Sequence, residues 1–129
     1  MSKKDHVYLK DLHSEHREWT SAIKLGRDEI ATFKHRLEEV ASKNTSHDFS
    51  ASLEHLQNQF IRHGEVFDTL EHDIKLKEQS LANYAEDHPI AIDHVHFTDH
   101  SGMRDRVETQ NKMFRELKDE LNTFLSKYM

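Results

Sequence analysis

Apolar residues return along this chain in alternating steps of three and four, in three separate runs. The first holds Leu9, Leu12, His16, Trp19, Ile23, Gly26, Ile30, Phe33, Leu37 and Val40. The second holds Phe49, Leu53, Leu56, Phe60, His63, Phe67, Leu70, Ile74, Lys77, Leu81 and Tyr84. The third holds His100, Met103, Val107, Gln110, Phe114, Leu117, Leu121, Phe124 and Tyr128. A 3,4 alternation is the heptad seam of helices that pack side by side, with a at Leu9 and d at Leu12. No long stretch alternates with period two, as strands require. The runs predict helices over about 5–43, 47–85 and 98–128.

The breaks between runs fix the order of the elements. Asn44-Thr45-Ser46-His47 divides the first two. Thr45, with Asp48 three residues on, resembles a capping box, and Ser46 is a rival N-cap. So short a connection makes its two helices antiparallel neighbours. The second break, 86–97, contains Pro89, which disfavours helix at His88. It also carries Ile90, Ile92, Val95 and Phe97, too apolar for a free loop. It is expected to fold over the open end of the bundle, with Thr98 or Ser101 capping the third helix. The fold class that follows is all-α. It is an elongated up-down-up antiparallel three-helix bundle with coiled-coil-like heptad packing, one domain over 1–129.

Pairing Val40 with Phe49 across the first turn sets an expected register. Phe33 then falls beside Leu56, Gly26 beside His63, and His16 beside Ile74. The third helix adds Gln110 beside Gly26 and His100 beside His16. The seam positions that are not apolar then gather in two places. One is a mid-level layer of Gly26, His63 and Gln110, with Gly64, next to His63, at a similar height. There Gly26 is expected to make room for the His63 ring, and His63 to hydrogen-bond Gln110, or the four to line a small ligand pocket. The other is a histidine-rich end.

Composition sharpens this picture. The 129 residues are 33% charged, with one Pro, three Gly and a net charge of −6 with neutral His, a profile of helices with a narrow apolar stripe. An acidic chain without a Lys/Arg block is a poor binder of nucleic acid or anionic membranes. No Cys is present, which excludes disulfides and thiolate chemistry. With no apolar leader or span in view, a soluble cytoplasmic protein is expected.

Twelve His residues are the chemical anomaly. His13 and His16 are spaced i, i+3, and His96 and His100 i, i+4, a spacing that lets two imidazoles share one ion on a helix. These four are the candidate metal ligands, for Zn, Ni, Cu or Fe, since no thiolate competes. Leu12-His13-Ser14-Glu15-His16 resembles the first helix of hemerythrin-type di-iron proteins. The resemblance covers that stretch alone. His63 is followed four residues later by Phe67, not Glu, and a fourth helix is missing, so no family follows from it. No phosphate-binding loop or zincin motif is present, and long helices rarely form the concave site that acyl transfer needs. An enzyme is therefore the lesser expectation. The leading one is an interaction or scaffold module with a protein partner or a second copy. Leu25, Ile61, Leu76 and Leu125 sit off the seam, at c, b, c and e, and are expected to be exposed. The alternative is a His-ligated transition-metal binder.

Overall fold

The computed structural model describes residues 6–87, 94–96 and 100–128. Among the described residues there are three helices: α1 Leu9–Ala41, α2 His47–Asp87 and α3 His100–Tyr128. At 1.5 Å per residue they are about 50, 62 and 44 Å long. Two short strands, β1 His6–Tyr8 and β2 His94–His96, precede α1 and α3. They pair antiparallel, with His6 opposite His96, Val7 opposite Val95 and Tyr8 opposite His94.

This ladder corrects the sequence-based expectation at two points. Residues 6–8 are not the start of the first helix, and residues 94–96 are strand within a stretch expected to be loop. Three-residue strands are too short for a period-two pattern to stand out from noise. Pro89, Ile90, Ile92, Phe97 and Thr98 lie outside the described residues. Ser101 lies inside α3, so it is not that helix's N-cap.

The seams form the core. Leu12, Ile23, Ile30, Leu37 and Val40 of α1 are buried, as are Phe49, Leu56, Phe60, Phe67, Leu70 and Ile74 of α2. Met103, Val107, Phe114, Leu117, Leu121 and Phe124 of α3 complete one continuous cluster with these residues, Leu12 excepted. Leu125 corrects the expectation for its e position: it is only 6% exposed and belongs to this core. Near its C-terminus α3 therefore buries a stripe wider than a strict a/d seam. Leu25, Ile61 and Leu76 are exposed.

The α1–α2 turn is held by local polar chemistry. The backbone N–H of Phe49 donates to Ser46 Oγ at 3.2 Å, so Ser46 and not Thr45 is the N-cap of α2. Asn44 Nδ2 donates to the carbonyl of Val40 at 3.0 Å, closing the C-terminus of α1. It also reaches the Tyr128 carbonyl at 3.5 Å, which brings the end of α3 to this turn. The Phe49 and Phe124 rings stack at 5.4 Å, and Tyr128 meets both at 5.0 Å. This aromatic plug closes one end of the core, so the histidines of early α1 and late α2 fall at the other.

Candidate functional site

At mid-level, His63 and Gln110 are buried side chains of α2 and α3. Gln110 Nε2 lies 2.8 Å from His63 Nδ1. With the amide as donor, Nδ1 is the acceptor and the ring proton resides on Nε2. Burial lowers the His63 pKa, and the neighbouring Arg62 charge lowers it further, so the ring is held neutral. The Phe114 ring lies 5.8 Å from it.

The glycines serve other neighbours than expected. A Cβ on Gly26 would lie 2.8 Å from two atoms of the Phe67 ring, so Gly26 makes room for Phe67 and not for His63. A Cβ on Gly64 would meet only Ile30 Cδ1, at 4.0 Å. Phe33 likewise meets Phe60, at 5.5 Å, where Leu56 was expected. The α1–α2 contacts thus run one seam step further along α2 than the register built from the turn. The space beside Gly26 is filled by the Phe67 ring.

At the histidine-rich end, the side chain that organises the site is Glu78. His13 Nδ1 lies 2.6 Å from Glu78 Oε2, and His16 Nδ1 lies 2.5 Å from Glu78 Oε1. One carboxylate of α2 thereby bridges two imidazoles of α1. His16 is 3% exposed and His13 54%, so the bridge runs from the core to the surface. The Trp19 ring packs 5.4 Å from His16. Glu78 was missed because it follows the seam position Lys77, yet the signal was present. His13 and Glu78 each follow directly on a seam position, Leu12 and Lys77.

The other two proposed ligands do not share a helix. His96 is the last residue of β2 and His100 the first of α3, which removes the i, i+4 helical premise for the pair. Their side chains lie outside the described residues. Among the described residues, no group of three or more His, Asp or Glu side chains is arranged to hold a metal ion. His35, His47 and His55 are exposed; His35 pairs with Glu39 and His55 with Glu120.

Ion pairs flank α1 on both sides. Toward α2, Arg27 pairs with Glu71, and with Asp68 at 3.6 Å. Burial works to raise the Glu71 pKa, but the hydrogen bond and charge of Arg27, with Lys75, hold it below the usual carboxylate value. Toward α3, Arg104 grips Glu15 through Nε and Nη2 at 3.0 and 2.9 Å, and Lys118 reaches Glu29 at 3.3 Å. The α2–α3 seam differs. Depressions line it at three successive levels, of ≈ 500, ≈ 670 and ≈ 440 Å³. The middle one is bordered by Val66 and Met113, both exposed, with Leu70 and Gln110 among its lining residues.

Among the described residues, three helices around a shared core, with a mid-level polar pair and a grooved α2–α3 flank, are the class the fold defines. No protein-family model, no curated protein and no solved structure matches the chain. Among the described residues, no helix is long and apolar enough to cross a membrane.

Proposed function

We propose that this chain is an up-down-up three-helix interaction module with coiled-coil-like packing, a cytoplasmic scaffold that presents helix surfaces to a protein partner or a second copy. The polar pairs between helices support that architecture. Glu15 and Glu29 are g positions of α1, and their partners Arg104 and Lys118 are e positions of α3, the g–e′ pairing of parallel neighbours. His13 with Glu78 and Arg27 with Glu71 are e–e′ pairs, and Asp73 with Arg106 is a g–g′ pair, as antiparallel neighbours would form.

The observation that carries the functional reading is the set of large apolar side chains left in solvent. Leu25, Ile61, Val66, Leu76 and Met113 are all exposed, off the seams, on helices whose seam positions are mostly buried. Side chains of this kind on rigid helices are what helix-on-helix recognition uses. The alternative reading, a transition-metal binder at the histidine-rich end, draws on the convergence of His13 and His16 on Glu78. Sedimentation of the tag-free, natively purified chain, with elemental analysis of the same sample, tests both. A metal-free sample that associates with itself or with a defined helix, and loses this when its exposed apolar residues become Ser, supports the module. Near one equivalent of Zn, Ni, Cu or Fe, with a melting temperature that falls on chelation, overturns it in favour of the metal reading.

A further inference from the structure

Three of the five exposed large apolar residues among the described residues, Val66, Leu76 and Met113, border one feature, the seam between α2 and α3. The heptad explains why. On this flank the g positions of α2 face the g positions of α3, and Asp73 with Arg106 is one such pair, joined at 2.7 Å. One heptad further, the same facing positions are Val66 and Met113. Where the neighbouring g–g pair is the Asp73–Arg106 ion pair, this one is two apolar side chains, left 38% and 49% exposed.

At the gap itself the charge is mainly acidic, while Lys127 and Lys77 line the depressions to either side of it. Glu65 and Asp105 lie on its border, and the one cation there, Arg106, is engaged by Asp73. The whole chain carries −6, so a second copy would bring like charge to an acidic border. The three depressions run from the level of Ser52 to that of Ser80 on α2, about 42 Å of helix. At the Ser80 end the groove is bordered by Gly102, where a Cβ would meet no atom within 4 Å, so the α3 backbone is open to close approach.

We infer that the α2–α3 groove is a docking site for an amphipathic helix of a partner protein. Its apolar stripe enters between Val66 and Met113, and its basic flanks meet Glu65 and Asp105. This rests on the interaction-module reading and adds the place and the chemistry of the partner. The occupant lies along the seam as a fourth helix, with apolar residues at i, i+3, i+4 and i+7.

The test uses the full chain and two labelled helical peptides of about 18 residues, ~27 Å long. One is built from Leu and Lys, the other has Glu in place of every Lys. The expected result is anisotropy-detected binding of the Leu/Lys helix and at least tenfold weaker binding of the Leu/Glu helix. Val66→Ser with Met113→Ser should weaken the Leu/Lys helix by about tenfold or more. Leu25→Ser with Ile61→Ser, exposed apolar sites outside this groove, should leave it unchanged. Amide chemical shifts that move around 66–70 and 105–113 would place the helix in the groove. Equal binding of both peptides, equal loss in both double variants, or no binding at about 100 μM overturns the proposal. If neither peptide binds but the chain self-associates and Val66→Ser/Met113→Ser abolishes this, the basic partner is refuted while the interaction reading stands. A monomer that binds neither peptide and carries one metal equivalent refutes both.

Discussion

Replacing each glycine with alanine should give opposite results at Gly26 and at the other two. Gly26, Gly64 and Gly102 are all inside helices, and none has a positive φ. Helix propensity alone therefore favours alanine at each by about 1 kcal/mol. At Gly64 the new Cβ meets only Ile30 Cδ1, at 4.0 Å, an ordinary contact. At Gly102 it meets nothing. Both variants should gain about 0.5–1 kcal/mol. At Gly26 the Cβ would lie 2.8 Å from two ring atoms of Phe67. Phe67 is 1% exposed and packed edge-on against Phe114 at 5.1 Å, so its ring has no free space to enter. Overpacking of this kind costs about 1–3 kcal/mol, which cancels or exceeds the propensity gain. Gly26→Ala should therefore be neutral to about 2 kcal/mol destabilising, the difference of the two terms. Urea unfolding, with each variant also made in a Phe67→Leu background, isolates the contact. The smaller side chain should turn Gly26→Ala from costly to favourable, a coupling of about 1–3 kcal/mol, and leave Gly64→Ala unaffected. If Gly26→Ala stabilises the wild-type protein as much as Gly64→Ala does, the packing of Phe67 against Gly26 is wrong.

The remaining predictions concern polar groups. The folded-state pKa of His63 lies below its ordinary value, so the unfolded chain takes up the proton first. The resulting stability is fully present above about pH 6.5 and is lost as pH falls through the lower, folded value. Against a His63→Gln control, melts from pH 8 to 5 should show the wild type losing up to about 1.4 kcal/mol per pH unit in that window; a constant gap refutes a neutral buried His63. Glu78→Ala should cost about 1–3 kcal/mol because it strips the acceptor from buried His16. His13→Ala should cost under about 1 kcal/mol at its exposed site; equal losses on urea titration would refute the gradient across the bridge. Ser46→Ala should destabilise by about 1 kcal/mol and Thr45→Ala by no more than about 0.5, measured in the same way, since only Ser46 accepts from the α2 terminus.

The seam was legible because burial is a one-dimensional property of a helix. A residue at a or d faces the core whatever its neighbours do, which is why His16, His63 and Gln110 are buried despite being polar. The His63–Gln110 pair followed from the same logic, since two buried polar groups must satisfy each other or remain unpaired. What the seam does not encode is the axial slide between helices. A one-step shift keeps every a and d position inside and changes only which side chain meets which. That is how Gly26 comes to face Phe67 while remaining buried. The flanks are less legible again, because an e or g residue acquires meaning only from the residue opposite. Leu125, read as an exposed e position, is drawn into the core near the aromatic end of the bundle. Glu78 is an unremarkable surface carboxylate until α1 brings His13 and His16 to it. Val66 and Met113 are single exposed apolar residues until α2 and α3 set them on either side of one gap. Flank positions are read only through such pairings, so the experiments that discriminate most are those that change one flank position and read its effect on the helix opposite.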